Sequence, residues 1–265
     1  MRSMLKLPLM VFVAVWIVFP SPAAYSQNEP ATAAVPVTAV KTEPVAIGDE
    51  LVVLELFSSQ ACVFCPKADQ LFAELLKADN VIGLACHVDY FDVHTGSLAR
   101  PFCTARQNWY MQVLGAGPNY TPQVIVNGTA DVVGYKANDV KDAMKKGQQY
   151  PPLDIVITKG AAADDFTLAW DAASVPAKSD NAVLWLMMID KPHDLTIAEG
   201  RNKGQKATYV NIVSDMEDRG AWDKASQNKI IKVTLKEQHS GFAVIAQDSK
   251  DGKILAAGQY RKESD

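Results

Sequence analysis

The sequence predicts an α/β domain followed by an all-β antiparallel sandwich domain. Three observations carry that expectation. Two nearly continuous apolar runs, Leu51 to Phe57 and Val81 to Val88, flank a stretch with helical periodicity, as in a sheet buried on both faces. Tyr150-Pro151-Pro152 then punctuates the chain. Beyond it, about seven short β-rich runs follow one another at the spacing of a sandwich.

The elements follow in order. Arg2 and Lys6 precede the apolar run Leu7 to Phe19, and the small residues Ser21, Ala23, Ala24 and Ser26 come next, which reads as a secretory signal peptide over residues 1–26. The run is short against the ~20 residues that span a bilayer, and no cysteine follows it to take a lipid, so the expected location is periplasmic or secreted, with no membrane attachment after cleavage. Residues 27–48, rich in Pro, Ala, Thr and Val without any period, read as a flexible spacer. The first folded domain is expected over 49–149. Ala68, Leu71, Phe72, Leu75 and Leu76 recur at intervals of three and four, giving a helix with Pro66 in its first turn. Cys103 to Leu114 is a second helix; Gln123 to Gly128 is a strand ending in an Asn-Gly turn, with Val132-Val133 as hairpin partner. Asn138 to Lys146 is a third helix with Asn138 as its cap. The β domain is expected over 150–265, with strands at 153–158, 166–172, 182–189, 195–198, 229–235, 242–247 and 254–257.

Composition narrows the function classes. The chain has 48% hydrophobic and 21% charged residues and a net charge of -4, with no basic block to displace counterions from phosphates and none to bind acidic lipids. Nucleic acid is therefore not an expected partner. Four cysteines are too few for a disulfide-dense scaffold, yet an exported protein can bridge any pair that is close in space.

Chemistry concentrates at Cys62-Val63-Phe64-Cys65. Disulfide exchange needs a thiolate of lowered pKa, access to solvent and a second thiol to resolve the mixed disulfide. A strand before the motif and a helix after it put Cys62 at a helix N-terminus, where free N–H groups favour an anion, and Cys65 one turn further in. An inert short-range disulfide and a metal site are the alternatives, the latter lacking a second close cysteine pair. The order strand, helix, strand, helix, hairpin, helix is that of a thioredoxin-like domain. In such domains a cis proline preceded by Thr packs against the dithiol and positions substrate; Thr121-Pro122, after Tyr120 and before a strand, stand at the matching place, where an ordinary turn proline is the other reading. Glu55, a carboxylate in an apolar strand, is a candidate proton shuttle for Cys65, or else reaches solvent or Arg106. His87, Asp89, Tyr90, Asp92 and His94 form a polar cluster that lines the site, is solvated, or binds copper or zinc. Cys86 and Cys103 either form a second disulfide or remain buried thiols.

The strings Glu55-Leu56-Phe57-Ser58-Ser59-Gln60-Ala61-Cys62-Val63-Phe64-Cys65-Pro66, His87-Val88-Asp89-Tyr90, Arg106-Gln107 and Tyr120-Thr121-Pro122-Gln123 together resemble a family of exported bacterial proteins catalogued as a domain of unknown function with a thioredoxin-like fold. Glu199-Gly200-Arg201-Asn202-Lys203-Gly204 and Val244-Ile245-Ala246-Gln247 extend the likeness into the C-terminal half. Val63-Phe64 in place of a small polar pair, and the additional Cys86 and Cys103, depart from the usual pattern.

The expected function is a thiol–disulfide oxidoreductase acting on protein disulfides. Cys62 is the nucleophile and Cys65 the resolving thiol, with Thr121, Pro122 and Glu55 as further catalytic candidates. Tyr120, His87, Asp89, Arg106 and Gln107 are the candidates for substrate contact. Its expected partners are exported protein thiols or disulfides and a redox partner protein. No cofactor is expected. The alternatives are a copper- or zinc-binding module using the dithiol and His87, and an interaction scaffold in which the dithiol is a remnant.

Overall fold

β1 (Val52–Ser58) is buried at every position, as its apolar run requires. A computed structural model describes residues 48–91, 97–175, 180–223 and 228–263. The signal-peptide segment, all but the last residue of the spacer, and Asp92 and His94 of the polar cluster lie outside the described residues. β1 pairs in parallel with β2 (Val81–His87), Val52 opposite Val81 and Ser58 opposite His87. Parallel neighbours need a crossover, and α1 (Cys65–Leu75) supplies it, with Pro66 in its first turn and Ala68, Phe72 and Leu75 buried. α2 (Pro101–Val113) follows β2 and buries two polar residues, Arg106 and Gln107, beside Cys103, Tyr110 and Met111.

β3 (Gln123–Val126) runs antiparallel to β1 with Phe57 opposite Gln123, and β4 (Ala130–Val133) completes a sheet of order β2-β1-β3-β4. Asn127 and Gly128 make the hairpin turn with φ of 49° and 72°. Gly128 is required there, because a Cβ would come within 1.9 Å of the Gly252 carbonyl oxygen. α3 (Ala137–Gly147) begins one residue earlier than expected: Lys136 holds the capping position without a side-chain bond, and Asn138 lies inside the first turn.

Strand alternation gives this sheet two unlike faces. Leu54, Leu56, Val124 and Val126 pack with Ala68, Phe72 and Leu75 of α1 and Val140, Ala143 and Met144 of α3. On the opposite face Val53, Ile82 and Leu84 meet Met187, Ile189, Val213, Ala243, Ile245, Ile254 and Ala257. Those residues come from, or directly flank, the strands of a second sheet, of order β11-β8-β13-β14-β5, built from β5 (Leu153–Asp154), β8 (Ala182–Asp190), β11 (Val213–Ala221), β13 (His239–Asp248) and β14 (Ile254–Arg261). Its far side packs through Leu184, Leu186, Val244 and Ala256 onto Phe166, Leu168 and Ile231 of a third sheet. The third sheet, of order β12-β7-β6, contains β6 (Val156–Lys159), β7 (Asp165–Ala169) and β12 (Asn228–Lys232), while β9 (His193–Thr196) and β10 (Lys206–Tyr209) form a separate hairpin.

This architecture corrects the expected fold class. In place of a thioredoxin-like α/β domain followed by a sandwich, the described residues form fourteen strands, three α-helices and four sheets, a mostly β molecule. The physical reason lies in what covers the first sheet. Continuous apolar runs announce a strand covered on both faces, and helices were the expected cover for both; here much of one cover is another sheet. Glu43–Asp265 accordingly forms one compact unit. No helix among the described residues is long and apolar enough to cross a membrane.

Candidate functional site

β1 ends at Ser58, and the chain turns before α1 begins at Cys65. Two backbone bonds shape the turn: Cys62 N–H donates to Ser59 O at 3.3 Å, and Cys65 N–H to Cys62 O at 3.2 Å. Cys62 and Cys65 are both free thiols, the first half-buried and the second fully buried. Their titrations diverge. The Cys62 thiol is pulled down to about 6, chiefly by the hydrogen bond it receives from Cys65, with further help from Thr121 and from the N–H groups of Phe64 and Cys65, against its partial burial. The Cys65 thiol is pushed up by burial, by its donation to Cys62 and by the nearby Asp69 charge. A half-buried thiol that ionises readily and a buried, protonated one result.

The Thr121–Pro122 peptide bond is cis and faces this pair. Cys62 Sγ donates to Thr121 O at 3.5 Å. Thr121 Oγ1 is buried without a hydrogen-bond partner among the described residues. Gln107, fully buried on α2, fixes the proline loop: its Nε2 donates to Tyr120 O at 2.8 Å and to Gln123 Oε1 at 2.8 Å, while its Oε1 accepts from the Tyr90 hydroxyl at 3.0 Å. The Tyr120 hydroxyl is turned away to Asp131. Cys86 and Cys103 form a disulfide that ties β2 to α2, and with it the helix carrying Gln107. Asp89 is tied to the same helix, its N–H donating to Thr104 Oγ1 at 3.0 Å.

Glu55 and Arg106 belong to a different constellation. By strand alternation Glu55 lies on the face away from α1. There it takes a two-pronged ion pair from Arg106 and a hydrogen bond from Tyr110, and Arg106 and Tyr110 both bond to Gln247 of β13. His87 is wholly buried with its ring edge-on to Tyr209 at 5.0 Å, and among the described residues neither ring nitrogen has a hydrogen-bond partner. Burial, with smaller contributions from His193 and Arg100, lowers its pKa to about 3 and keeps it neutral. Among the described residues no group of three His, Cys, Asp or Glu is arranged to hold a metal ion.

Several participants were not visible in the sequence. Ser58 Oγ donates to Asp69 Oδ1 at 2.8 Å and stands within hydrogen-bonding reach of the Cys65 sulfur. Asp69 follows Cys65 by four residues on α1, a spacing that puts both on one helix face and could have signalled the pairing. Asn202, far along the chain, donates from Nδ2 to Gln60 O at 2.9 Å and to Cys62 O at 2.7 Å; the sequence singled out the Glu199–Gly204 string that contains it but not its place at the dithiol. Two aromatic pairs are exposed, one of them built on the motif itself. Phe64, 48% exposed, stacks on Tyr135 at 5.0 Å, and Tyr90 and Phe91 form a second exposed aromatic pair.

Fold and site together define a mostly β protein that presents a reduced, asymmetric dithiol beside a cis proline. Residues 53–247 match the family described as protein of unknown function (DUF1223), and the chain belongs to that family. It is similar in structure to a protein from Agrobacterium tumefaciens solved by X-ray crystallography, with a TM-score of 0.65 and 26% sequence identity, the match covering 81% of this chain and 96% of that one. No curated protein matches the chain.

Proposed function

We propose that the protein is an exported thiol–disulfide oxidoreductase that acts on protein disulfides through Cys62 and Cys65. The observation that carries this reading is the opposed tuning of the two thiols, one accessible and anionic near neutral pH, the other buried and protonated. Cys62 thiolate attacks one sulfur of a substrate disulfide. That bond breaks, a Cys62–substrate disulfide forms, and the first substrate sulfur leaves as a thiolate that takes up a proton. Cys65 then gives its proton through the Ser58 hydroxyl to the Asp69 carboxylate and attacks the Cys62 sulfur. The second substrate thiolate leaves, so the substrate is reduced by two electrons as the dithiol becomes a disulfide. Run in reverse, the same steps oxidise a client dithiol.

The exposed aromatic pairs favour a polypeptide substrate over a small polar disulfide, since Phe64 next to the motif stacks on Tyr135, and Tyr90 and Phe91 form a second exposed pair. The export part of the proposal rests on the signal-peptide pattern of residues 1–26.

Trapping tests the proposal. Cys65→Ser leaves the mixed disulfide without a resolving thiol and is expected to accumulate covalent adducts with exported proteins, which vanish on reduction and are absent from a Cys62→Ser, Cys65→Ser double variant. If no adduct forms, and the wild type neither reduces insulin nor oxidises a reduced client, the proposal fails. Stoichiometric copper or zinc that is lost on Cys62→Ser would also overturn it.

A further inference from the structure

The segment between β9 and β10 reaches the reactive turn from well over a hundred residues away in sequence. It is internally braced: Gly204 N–H donates to Ile197 O at 2.8 Å, Ile197 N–H to Gln205 O at 2.9 Å and Gln205 N–H to Asn202 O at 3.1 Å. Gly200, with φ of 74°, lies so close to the turn that a Cβ there would come within 2.7 Å of Ala61 Cβ and 2.8 Å of Ala61 Cα. At its tip the Asn202 side chain, 2% exposed, uses its two N–H groups on the carbonyls of Gln60 and Cys62.

We infer that Asn202 is a positioning residue for the reactive turn: by holding the Gln60 and Cys62 carbonyls it fixes the backbone that sets the Cys62 sulfur against the Thr121 carbonyl. The carbonyls on either side of Ala61 are the hinge points of the turn. Gln60 is further fixed through Oε1, which accepts from Leu98 N–H at 3.1 Å, and Ala61 N–H is bound by Ser59 Oγ at 3.2 Å. Cys62 O has one other bond, from Cys65 N–H at 3.2 Å. Removing Asn202 takes one hydrogen bond from each of two backbone carbonyls of the turn, and the turn rotates to recover them. Stabilisation of a thiolate by N–H groups weakens steeply with misalignment, so that rotation is felt at the sulfur. The C-terminal half thus supplies part of the reactive centre and tunes it without touching the sulfur.

The inference deepens the oxidoreductase reading and rests on it, but its readout is the titration of Cys62, which requires no turnover. The rate of Cys62 alkylation by iodoacetamide, followed against pH in the full reduced protein, reports its thiolate fraction, since Cys65 stays protonated. Asn202→Ala is expected to shift the profile upward by about one pH unit, which lowers the alkylation rate at pH 5 roughly tenfold. Gly200→Ala, which retains the amide but pushes the segment off Ala61, is expected to shift it in the same direction. Folded Asn202→Ala with the expected shift supports the inference. Folded Asn202→Ala with a wild-type profile overturns it. If Asn202→Ala does not fold, Gly200→Ala decides, and a wild-type profile there overturns the inference equally. Failure of the oxidoreductase reading looks different: a normal shift in a protein that forms no mixed disulfides.

Discussion

Cys62 and Cys65 show how one turn of backbone makes two unlike thiols from the same side chain. A depressed thiolate pKa stabilises the reduced dithiol and makes the corresponding disulfide a stronger oxidant. With Cys62 titrating near 6, the Cys62–Cys65 couple is expected between about -270 mV, typical where the nucleophile titrates near 7, and about -120 mV, where it titrates near 3.5. Equilibration with glutathione buffers measures this directly, and a potential below that range would mean that the thiolate is not held as the geometry implies. His87 carries a second residue-scale prediction. Its pKa falls from 6.5 in the unfolded chain to about 3 in the fold. Between those values the unfolded chain binds a proton that the folded protein refuses, so stability rises with pH across that window and is lost as pH falls from about 6.5 towards 3, by up to about 1.4 kcal/mol per pH unit. His87→Leu removes this dependence. Urea denaturation at pH 7, 5 and 4 should therefore show a smaller acid loss for the variant than for the wild type; parallel losses would refute the assignment.

At the scale of elements, the disulfide between Cys86 and Cys103 closes a loop of 17 residues and binds β2 to α2. Loop closure of that length is worth about 3 kcal/mol through the unfolded state. Cys86→Ala, Cys103→Ala is expected to lower the unfolding free energy in urea by about that amount and to steepen the slope, because the unlinked chain unfolds to a more exposed state; on the proposed function it also slows exchange at Cys62, because α2 carries Gln107 and Gln107 holds the Tyr120 carbonyl. A variant that loses stability but keeps full exchange activity would confine the bridge to a structural role. Elements also separate what was legible in the sequence from what was not. The apolar runs of β1, β2 and β3 and the periodicity of α1 stand out because burial on a regular element leaves a regular pattern. β11 does not: as an edge strand it carries Asp215, Glu217, Asp218 and Arg219, charges that suit an unpaired edge and erase a strand signal. Glu55 is similar. Its place in an apolar strand leaves a proton shuttle for Cys65, a reach to solvent and a pairing with Arg106 all open, because the choice depends on which element covers which face; the structure pairs it with Arg106.

For the whole molecule, an apolar run records that a residue is buried and is silent about what buries it. Val53, Ile82 and Leu84 read as the buried face of an α/β sheet, and they are buried, but by Met187, Ile189, Ala243 and Ile245 of a second sheet. The same blindness hid the partners of Asn202, which lie 140 and 142 residues away. These long-range dependences make the two halves of the chain inseparable. Taking away residues 150–265 would expose Val53, Ile82 and Leu84, at about 1.5–3 kcal/mol for each side chain returned to water. It would also remove Gln247 from the buried Glu55–Arg106–Tyr110 network, leaving a donor and an acceptor unsatisfied at about 1–3 kcal/mol each. The combined loss is comparable to the whole stability of an ordinary domain, about 5–15 kcal/mol. A fragment comprising residues 48–149 is therefore expected to show no cooperative thermal unfolding and to alkylate at Cys62 with the pH profile of an unstructured thiol, near 8.5. A fragment that unfolds cooperatively and keeps the low titration would show that the first sheet and its helices suffice to build the reactive turn, against both the shared core and the part assigned to Asn202.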